Sequence, residues 1–219
     1  QTTADLQQLA KKYNVTIVTA YSTSTDNYNW AALIDNNGEL KYSYKKRHPV
    51  PGVENDVTPG PGEIFVADTN IGKVSTAICF DLDFPAYIAT TPRSAEYLVQ
   101  PSDTWGAIGE YHARINAIRS IEHGFTLIRC SSDGYSGVFT PDGKWTNFFP
   151  DDNHGAYSMI LPDIPHRVFT IYDYIGDAFA WICVALAVLV LITSVLPANL
   201  INKYLHVDNR ERRYQLVNE

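Results

Sequence analysis

The sequence predicts a layered α/β domain that is followed by one membrane-spanning helix. Two observations favour this class. Through residues 1–174, segments with helical apolar spacing alternate with short runs of β-branched and aromatic residues, which is typical of folds that pack helices on sheets. An uninterrupted apolar run then begins at Ala178.

The composition supports a folded domain and excludes some classes of partner. The 219 residues are 45% hydrophobic and 12% aromatic, enough to build a buried core and to exclude a disordered chain. A net charge of −7 and the lack of a long basic run argue against nucleic acid as a partner. The three cysteines are too few for a disulfide scaffold.

The apolar spacing and the turn signals place each element in order. Leu6, Leu9 and Tyr13 recur at helical intervals, and the Asn37-Gly38 corner favours a hairpin. Proline-rich residues 47–62 are expected to form a loop. The expected elements are a helix over 2–13, strands over 15–21, 29–34, 39–45, 64–67, 73–79 and 98–100, a helix over 107–123, and strands over 125–130, 137–140 and 157–161.

The helix over 107–123 has apolar side chains at intervals that bring them to one face. They are Ile108, Tyr111, Ile115, Ile118 and Ile121. Apolar residues at these intervals are typical of an amphipathic helix.

The run that begins at Ala178 is long enough to cross a bilayer. It carries no charge, glycine or proline up to Leu196, and roughly 20 such residues span the hydrocarbon core. A buried core helix is the alternative. We assign a membrane helix to 178–198, and the Lys and Arg residues of the tail at 199–219 place that tail in the cytoplasm, with residues 1–174 on the extracytoplasmic side.

Cys79 and Lys46 are the first candidates for chemistry. Cys79 lies at the end of an apolar segment, where the backbone N–H groups that follow can face a reacting carbonyl oxygen. Lys46 precedes the proline-rich loop, where a cation can lower a thiol pKa or stabilise an anionic intermediate. The alternatives are a buried, inert cysteine and a solvated lysine.

Five short motifs, taken in order, resemble those of the apolipoprotein N-acyltransferases of the nitrilase (carbon-nitrogen hydrolase) superfamily. No single motif is specific, but their order and spacing along most of residues 1–174 are. They are Lys-Arg-His-Pro-Val-Pro-Gly-Val-Glu at 46–54, Cys-Phe-Asp-Leu-Asp-Phe-Pro at 79–85, Ser-Asp-Thr-Trp at 102–105, Arg-Ser-Ile-Glu-His-Gly at 119–124, and Ser-Ser-Asp-Gly at 131–134 followed by Pro-Asp-Gly at 141–143.

The resemblance implies a nitrilase-like α-β-β-α sandwich and a Glu-Lys-Cys active site. Cys79 corresponds to the nucleophile, Lys46 to the residue that stabilises the tetrahedral intermediate, and Glu54 to a second glutamate that orients the lysine. Phe80 supplies an oxyanion N–H, and Asp81 and Trp105 support the site. The general-base glutamate is expected before Thr2, so the sequence predicts an N-terminally incomplete domain that is inactive alone.

The resemblance further implies N-acyl transfer from a phospholipid, through a cysteine thioester, to the N-terminal amine of a lipoprotein. It implies no cofactor, and the histidines lack the spacing of metal ligands. Two alternatives stay open: a membrane-tethered amide hydrolase of the same superfamily, and a catalytically inactive nitrilase-like binding module.

Overall fold

A computed structural model describes residues 3–150, 155–161 and 167–195. Its contacts divide the chain into two units, Gln1–Tyr174 and Ile175–Glu219. The expected tail at 199–219 and the last residues of the expected membrane helix lie outside the described residues.

The first unit begins with a helix and a three-stranded antiparallel sheet. Its elements are α1 (Thr3–Tyr13), β1 (Ile17–Ser22), β2 (Asn29–Ile34) and β3 (Leu40–Lys45), and the sheet order is β1-β2-β3. The expected hairpin between β2 and β3 is confirmed. The Asp35 carboxylate closes it by accepting 2.9 Å hydrogen bonds from the N–H groups of Asn37 and Glu39, while Gly38 takes a φ of 81°.

A second sheet has six strands in sequence order. These are β4 (Val66–Thr69), β5 (Gly72–Thr76), β6 (Tyr97–Asp103), β7 (Thr126–Ser132), β8 (Tyr135–Phe139) and β9 (Trp145–Pro150). A 3-10 turn (Cys79–Asp83) and α2 (Pro85–Ile88) follow β5, and α3 (Gly106–His123) links β6 to β7. Because β5, β6 and β7 are parallel, the segments that follow them meet at one edge of the sheet, where sites in α/β folds form.

The two sheets share one core between two helices. Helix α1 contacts β2, and α3 contacts β7 and β8. The main buried cluster joins Ala31 and Tyr44 of the first sheet to Leu98 and Leu127 of the second. The contacts therefore show the mixed α/β layering that the alternation of patterns predicts.

The apolar face of α3 does not cover a sheet. Its Ile and Tyr side chains are between 40% and 70% exposed. The face that packs on the sheet instead carries small and polar residues: Gly109, His112, Ala113, Asn116, Ala117 and Ser120. Small side chains let the helix approach the strands closely, and a Cβ on Gly109 would meet the Gly134 backbone at 3.0 Å.

Two expected strands need correction, and one observed strand has no predicted counterpart. The strand expected over 73–79 ends at Thr76, because the chain turns so that Cys79 can begin the 3-10 turn. Residues 157–161 form no strand. The sequence patterns do not predict strand β9, because Pro141 and Gly143, which precede it, indicate only a turn.

A buried polar cluster ties residues 167–173 to the end of α3. The Arg167 guanidinium makes two 2.9 Å contacts with the Asp173 carboxylate. Asp173 also lies 2.9 Å from Nδ1 of His123, a side chain that is 1% exposed. Asp173 thus contacts both Arg167 and His123 and holds residues 167–173 against the end of α3.

Stability should fall on acidification because of His123. Burial lowers the pKa of His123 below 6.5, although Asp173 opposes this effect. The folded state then binds the imidazole proton more weakly than the unfolded state, so its contribution is present above about pH 6.5 and is lost as the pH falls below that value. Urea unfolding at pH 7.5 and pH 5.0 measures the change. A His123→Gln variant should show a smaller loss of unfolding free energy, and an equal loss in both proteins would contradict the assignment.

Helix α4 (Tyr172–Ile175) lies in the first unit except for its last residue, and the described part of the second unit consists mainly of α5 (Ala178–Val195). Within the described residues, α5 is the one helix long and apolar enough to cross a membrane by length and composition. Its two hydroxyl side chains donate to backbone carbonyls one turn earlier, Thr193 to Val190 at 2.9 Å and Ser194 to Leu191 at 2.8 Å. Neither hydroxyl therefore needs water as an acceptor.

Candidate active site

Cys79 occupies a strained turn directly after β5. Its φ is 46°, a left-handed conformation that costs a non-glycine residue energy. The side chain is only 6% exposed, and Sγ lies 3.4 Å from the Asp103 carbonyl oxygen at the end of β6. The turn therefore brings the thiol to the edge where the parallel strands end.

Lys46 reaches the same place from the other sheet. It follows β3, is 2% exposed, and its Nζ lies 2.5 Å from Oε2 of Glu54. The proline-rich loop folds back so that the Val50 N–H also donates to Oε2 at 2.6 Å, and Asn29 donates to Oε1 at 2.5 Å. Glu54 is thereby fixed by three donors, and it holds the lysine ammonium in one position.

Asp81 joins the two sheets beneath the nucleophile. Its carboxylate is fully buried. One oxygen accepts from the N–H groups of Arg47 at 3.1 Å and His48 at 2.7 Å, and the other accepts from Ile78 N–H at 3.1 Å and the Tyr44 hydroxyl at 2.6 Å. Burial and the adjacent carboxylate raise the pKa of Tyr44, which keeps its hydroxyl a donor. Asp81 thus fixes the Cys79 turn to the chain that carries Lys46.

Asp81→Asn should destabilise the protein by about 2–4 kcal/mol. The amide would place donor hydrogens against the donors that the carboxylate now accepts from, leaving buried groups unpaired. Chemical denaturation measures the loss. Asp68→Asn is the matched control, since that side chain is 81% exposed and its exchange should change the free energy by less than about 0.5 kcal/mol. Equal effects in the two variants would contradict this role for Asp81.

A cavity of about 710 Å³ connects these groups. Cys79, Lys46 and Glu54 line it together with Trp105. Trp105, which precedes α3, is 48% exposed and stands at its rim. Phe80 lines instead a smaller cavity on which Cys79 also borders. The structure therefore brings Cys79, Lys46, Glu54 and Trp105 to one cavity. Phe80 lines the neighbouring cavity, and Asp81 lines neither cavity but binds the backbone next to Cys79.

A buried polar network behind the thiol was missed from the sequence. Gln100 donates to the Cys79 carbonyl at 2.9 Å and to Asn116 at 2.6 Å. Arg129, fully buried, donates to Asn116 and Thr104 at 2.9 Å each. Burial lowers the pKa of Arg129 to about 10, although electrostatic interactions with Cys79 and Asp83 act in the opposite direction. A lone arginine within the apolar strand β7 was the available signal.

Metal ligands do not cluster in the described part of the chain. In that part, no group of three or more His, Cys, Asp or Glu side chains is placed to hold a metal ion. The site offers a thiol, an ammonium group and a glutamate around a cavity. This set is suited to forming a covalent bond from the cysteine to a carbonyl carbon while a cation faces the oxygen.

The family of the chain follows from a sequence comparison. Residues 1–163 match the family model described as carbon-nitrogen hydrolase. The chain therefore belongs to the carbon-nitrogen hydrolase family, the nitrilase superfamily, which confirms the family part of the resemblance.

Relatives and solved structures of two activities are similar to the chain. Deaminated glutathione amidase of Dictyostelium discoideum is 32% identical over 57% of this chain and 50% of its own length. Apolipoprotein N-acyltransferase of Gloeobacter violaceus is 28% identical over 83% of this chain and 39% of its own length. The amidase of Nesterenkonia sp. AN1, solved as a cysteine-to-alanine mutant in complex with butyramide, has a TM-score of 0.60 at 21% identity over 68% of this chain and 62% of that one, which shows the fold.

The coverage of these relatives is partial in both directions. The chain spans half or less of the two curated relatives. The acyltransferase match, at 83% of this chain, cannot be confined to the first unit, Gln1–Tyr174. It must extend into the unit that contains α5.

Proposed function

We propose that the protein is an N-acyltransferase that moves an acyl chain from a phospholipid to the N-terminal amine of a lipoprotein through a thioester on Cys79. The observation that carries the proposal is the acyltransferase match that reaches past Tyr174. The amidase match covers 57% of the chain and needs no such extension. An acyltransferase acting on lipids would use the apolar helix that follows the catalytic unit.

The first step acylates the cysteine. The Cys79 thiol gives its proton to a general base, which the family resemblance expects before Thr2. Sγ attacks the ester carbonyl carbon of the phospholipid, and a C–S bond forms. The resulting oxyanion faces the Lys46 ammonium and the Phe80 N–H. The C–O bond then breaks, and the base returns the proton to the alcohol of the departing lysophospholipid.

The second step transfers the acyl group to the acceptor. The lipoprotein amine attacks the thioester carbonyl, a C–N bond forms and the C–S bond breaks. The amine proton passes through the base to restore the thiol. Glu54 orients Lys46 through both steps, Asp81 positions the Cys79 turn, and Trp105 borders the entrance that both substrates use.

The proposed location follows from the same reaction. A helix over 178–198 spans the membrane, residues 1–174 lie on its extracytoplasmic side, and residues 199–219 form a basic cytoplasmic tail. Lipid donor and anchored acceptor are then confined near the same surface as the site, which raises their effective concentration. No nucleic acid or cofactor enters the proposal.

A second candidate is a membrane-tethered amide hydrolase. The Dictyostelium amidase, at 32% identity, supports it. Its thioester would be resolved by water in place of an amine. An inactive binding module is less supported, because a strained cysteine turn and a buried lysine beside one cavity serve no evident purpose in a binding surface.

One experiment separates these functions. The full-length protein, in phospholipid vesicles, is mixed with a lipopeptide that carries a free N-terminal amine. Mass spectrometry then follows the Cys79 peptide, the lipopeptide and free fatty acid. Acyl transfer predicts a Cys79 adduct and N-acylated lipopeptide. Fatty acid release or amide cleavage without N-acylation supports the hydrolase, and an unmodified Cys79 with no N-acylated lipopeptide would exclude the acyltransferase.

A further inference from the structure

A second, smaller cavity borders Cys79 on the side of α3. Its volume is about 210 Å³, and its surface is almost entirely apolar. Val50, Cys79, Asp103 and Trp105 line both this cavity and the larger one. The thiol therefore lies where the two cavities meet.

The smaller cavity is apolar although Asp83, Thr104 and His112 line it. Polar atoms of these residues contact one another or the buried network, which leaves carbon atoms to line the cavity. Asp83 Oδ1 accepts from Asn116 at 2.6 Å and lies 3.2 Å from Nε2 of His112. The Thr104 hydroxyl accepts from Arg129 at 2.9 Å. Phe80 and Ile108 complete the lining.

We infer that this smaller cavity holds the hydrocarbon chain of the acyl group while its carbonyl is bonded to Cys79. The inference rests on the proposed acylation. The larger cavity contains Lys46 and Glu54, so the carbonyl oxygen and the polar leaving group or acceptor belong there. An apolar chain on the same carbon gains most from the apolar side.

The size of the cavity sets how much of the chain it buries. At about 30 Å³ for each methylene, close to the volume share of a water molecule, 210 Å³ accommodates roughly seven carbons. A longer chain leaves past Ile108, which is 40% exposed and is the first residue of the apolar face of α3. The exposed apolar face of α3, which does not pack on the core, would then lie along the path of the hydrocarbon chain.

The test uses alkyl methanethiosulfonates, which need no acyl-transfer activity. The Cys79 thiolate attacks the alkyl-bearing sulfur, an S–S bond forms, and methanesulfinate leaves with the bonding electrons. Rates for methyl and hexyl reagents are measured by mass spectrometry of the Cys79 peptide and divided by the rates for free glutathione. Each fully buried methylene strengthens binding about fourfold, so even partial burial of the chain should favour the hexyl reagent at least about tenfold.

Two tryptophan variants of α3 provide the comparison. Ile108→Trp fills the cavity and should bring the ratio of the hexyl rate to the methyl rate down to that of glutathione. Ile118 lies on the same exposed face, is 44% exposed and does not line the cavity. Ile118→Trp should therefore keep the hexyl preference of the protein without substitutions.

Three results would overturn the inference: no hexyl preference, the same preference in both variants, or a Cys79 that reacts with neither reagent. The outcome is separate from that of the proposed function. A hexyl preference without any lipid acylation would contradict the acyltransferase alone. Acylation of Cys79 without the preference would contradict the assignment of the cavity alone.

Discussion

Cys79→Ala is expected to abolish the acyl adduct and all product formation while the fold is retained. Among the described residues, the cavity that holds Lys46 also contains Cys130, so the matched control is Cys130→Ala. That cysteine is exposed and lies within β7, and its removal should leave the adduct in place. The adduct is measured by intact mass after incubation with phospholipid vesicles.

The physical reason lies in the geometry of the Cys79 turn. A nucleophile must approach the carbonyl while a cation faces the oxygen, and the left-handed turn is the point at which a side chain faces the cavity shared with Lys46. Removing one sulfur atom should change the free energy of unfolding by no more than about 1–2 kcal/mol. An adduct that persists in Cys79→Ala and disappears in Cys130→Ala would reverse the assignment.

Lys46→Met should lower the rate of Cys79 acylation by about 10²- to 10³-fold, the loss seen when an oxyanion donor is removed. Methionine keeps most of the length and apolar volume of the side chain. The rate is followed by rapid quench and mass spectrometry of the Cys79 peptide. A rate within about threefold of that of the unmodified protein would exclude Lys46 from the reaction.

Loss of stability must be separated from loss of chemistry in this variant. Lys46 is 2% exposed and faces Glu54, so its removal leaves a largely buried carboxylate without its cation, a change that costs about 3–5 kcal/mol. The double variant Lys46→Met/Glu54→Gln removes that unpaired charge. It should recover a large part of the stability and none of the rate, whereas recovery of the rate would assign Lys46 a structural role only.

Sequence patterns predicted the elements better than the packing of those elements. The helix expected over 107–123 occurs as Gly106–His123, with Gly124 in the left-handed conformation at its end. Its apolar face, however, is exposed. Periodicity shows that apolar residues share a face but not which face meets the sheet. Here the buried face of the helix carries the small residues Gly109, Ala113 and Ala117, which allow close approach to the sheet. It also carries polar residues, which contact polar partners in the core.

The site shows the same limit. The order of motifs led to Cys79, Lys46 and Glu54, and the structure places all three at one cavity, although their catalytic roles stay predictions. Most of the short motifs indicate residues that line the same cavity in the folded chain. The motifs do not indicate Gln100 or Arg129, because the contacts of these residues form only when β6, β7 and α3 pack together.

The backbone at Cys79 has a consequence for the history of this chain. A φ of 46° costs a non-glycine residue about 1–3 kcal/mol, and glycine would adopt it without strain. Mutational drift in a lineage that had no use for the thiol would therefore favour glycine at this position on stability alone. The chain therefore carries a sulfur atom at this turn at the expense of the stability that glycine would give it.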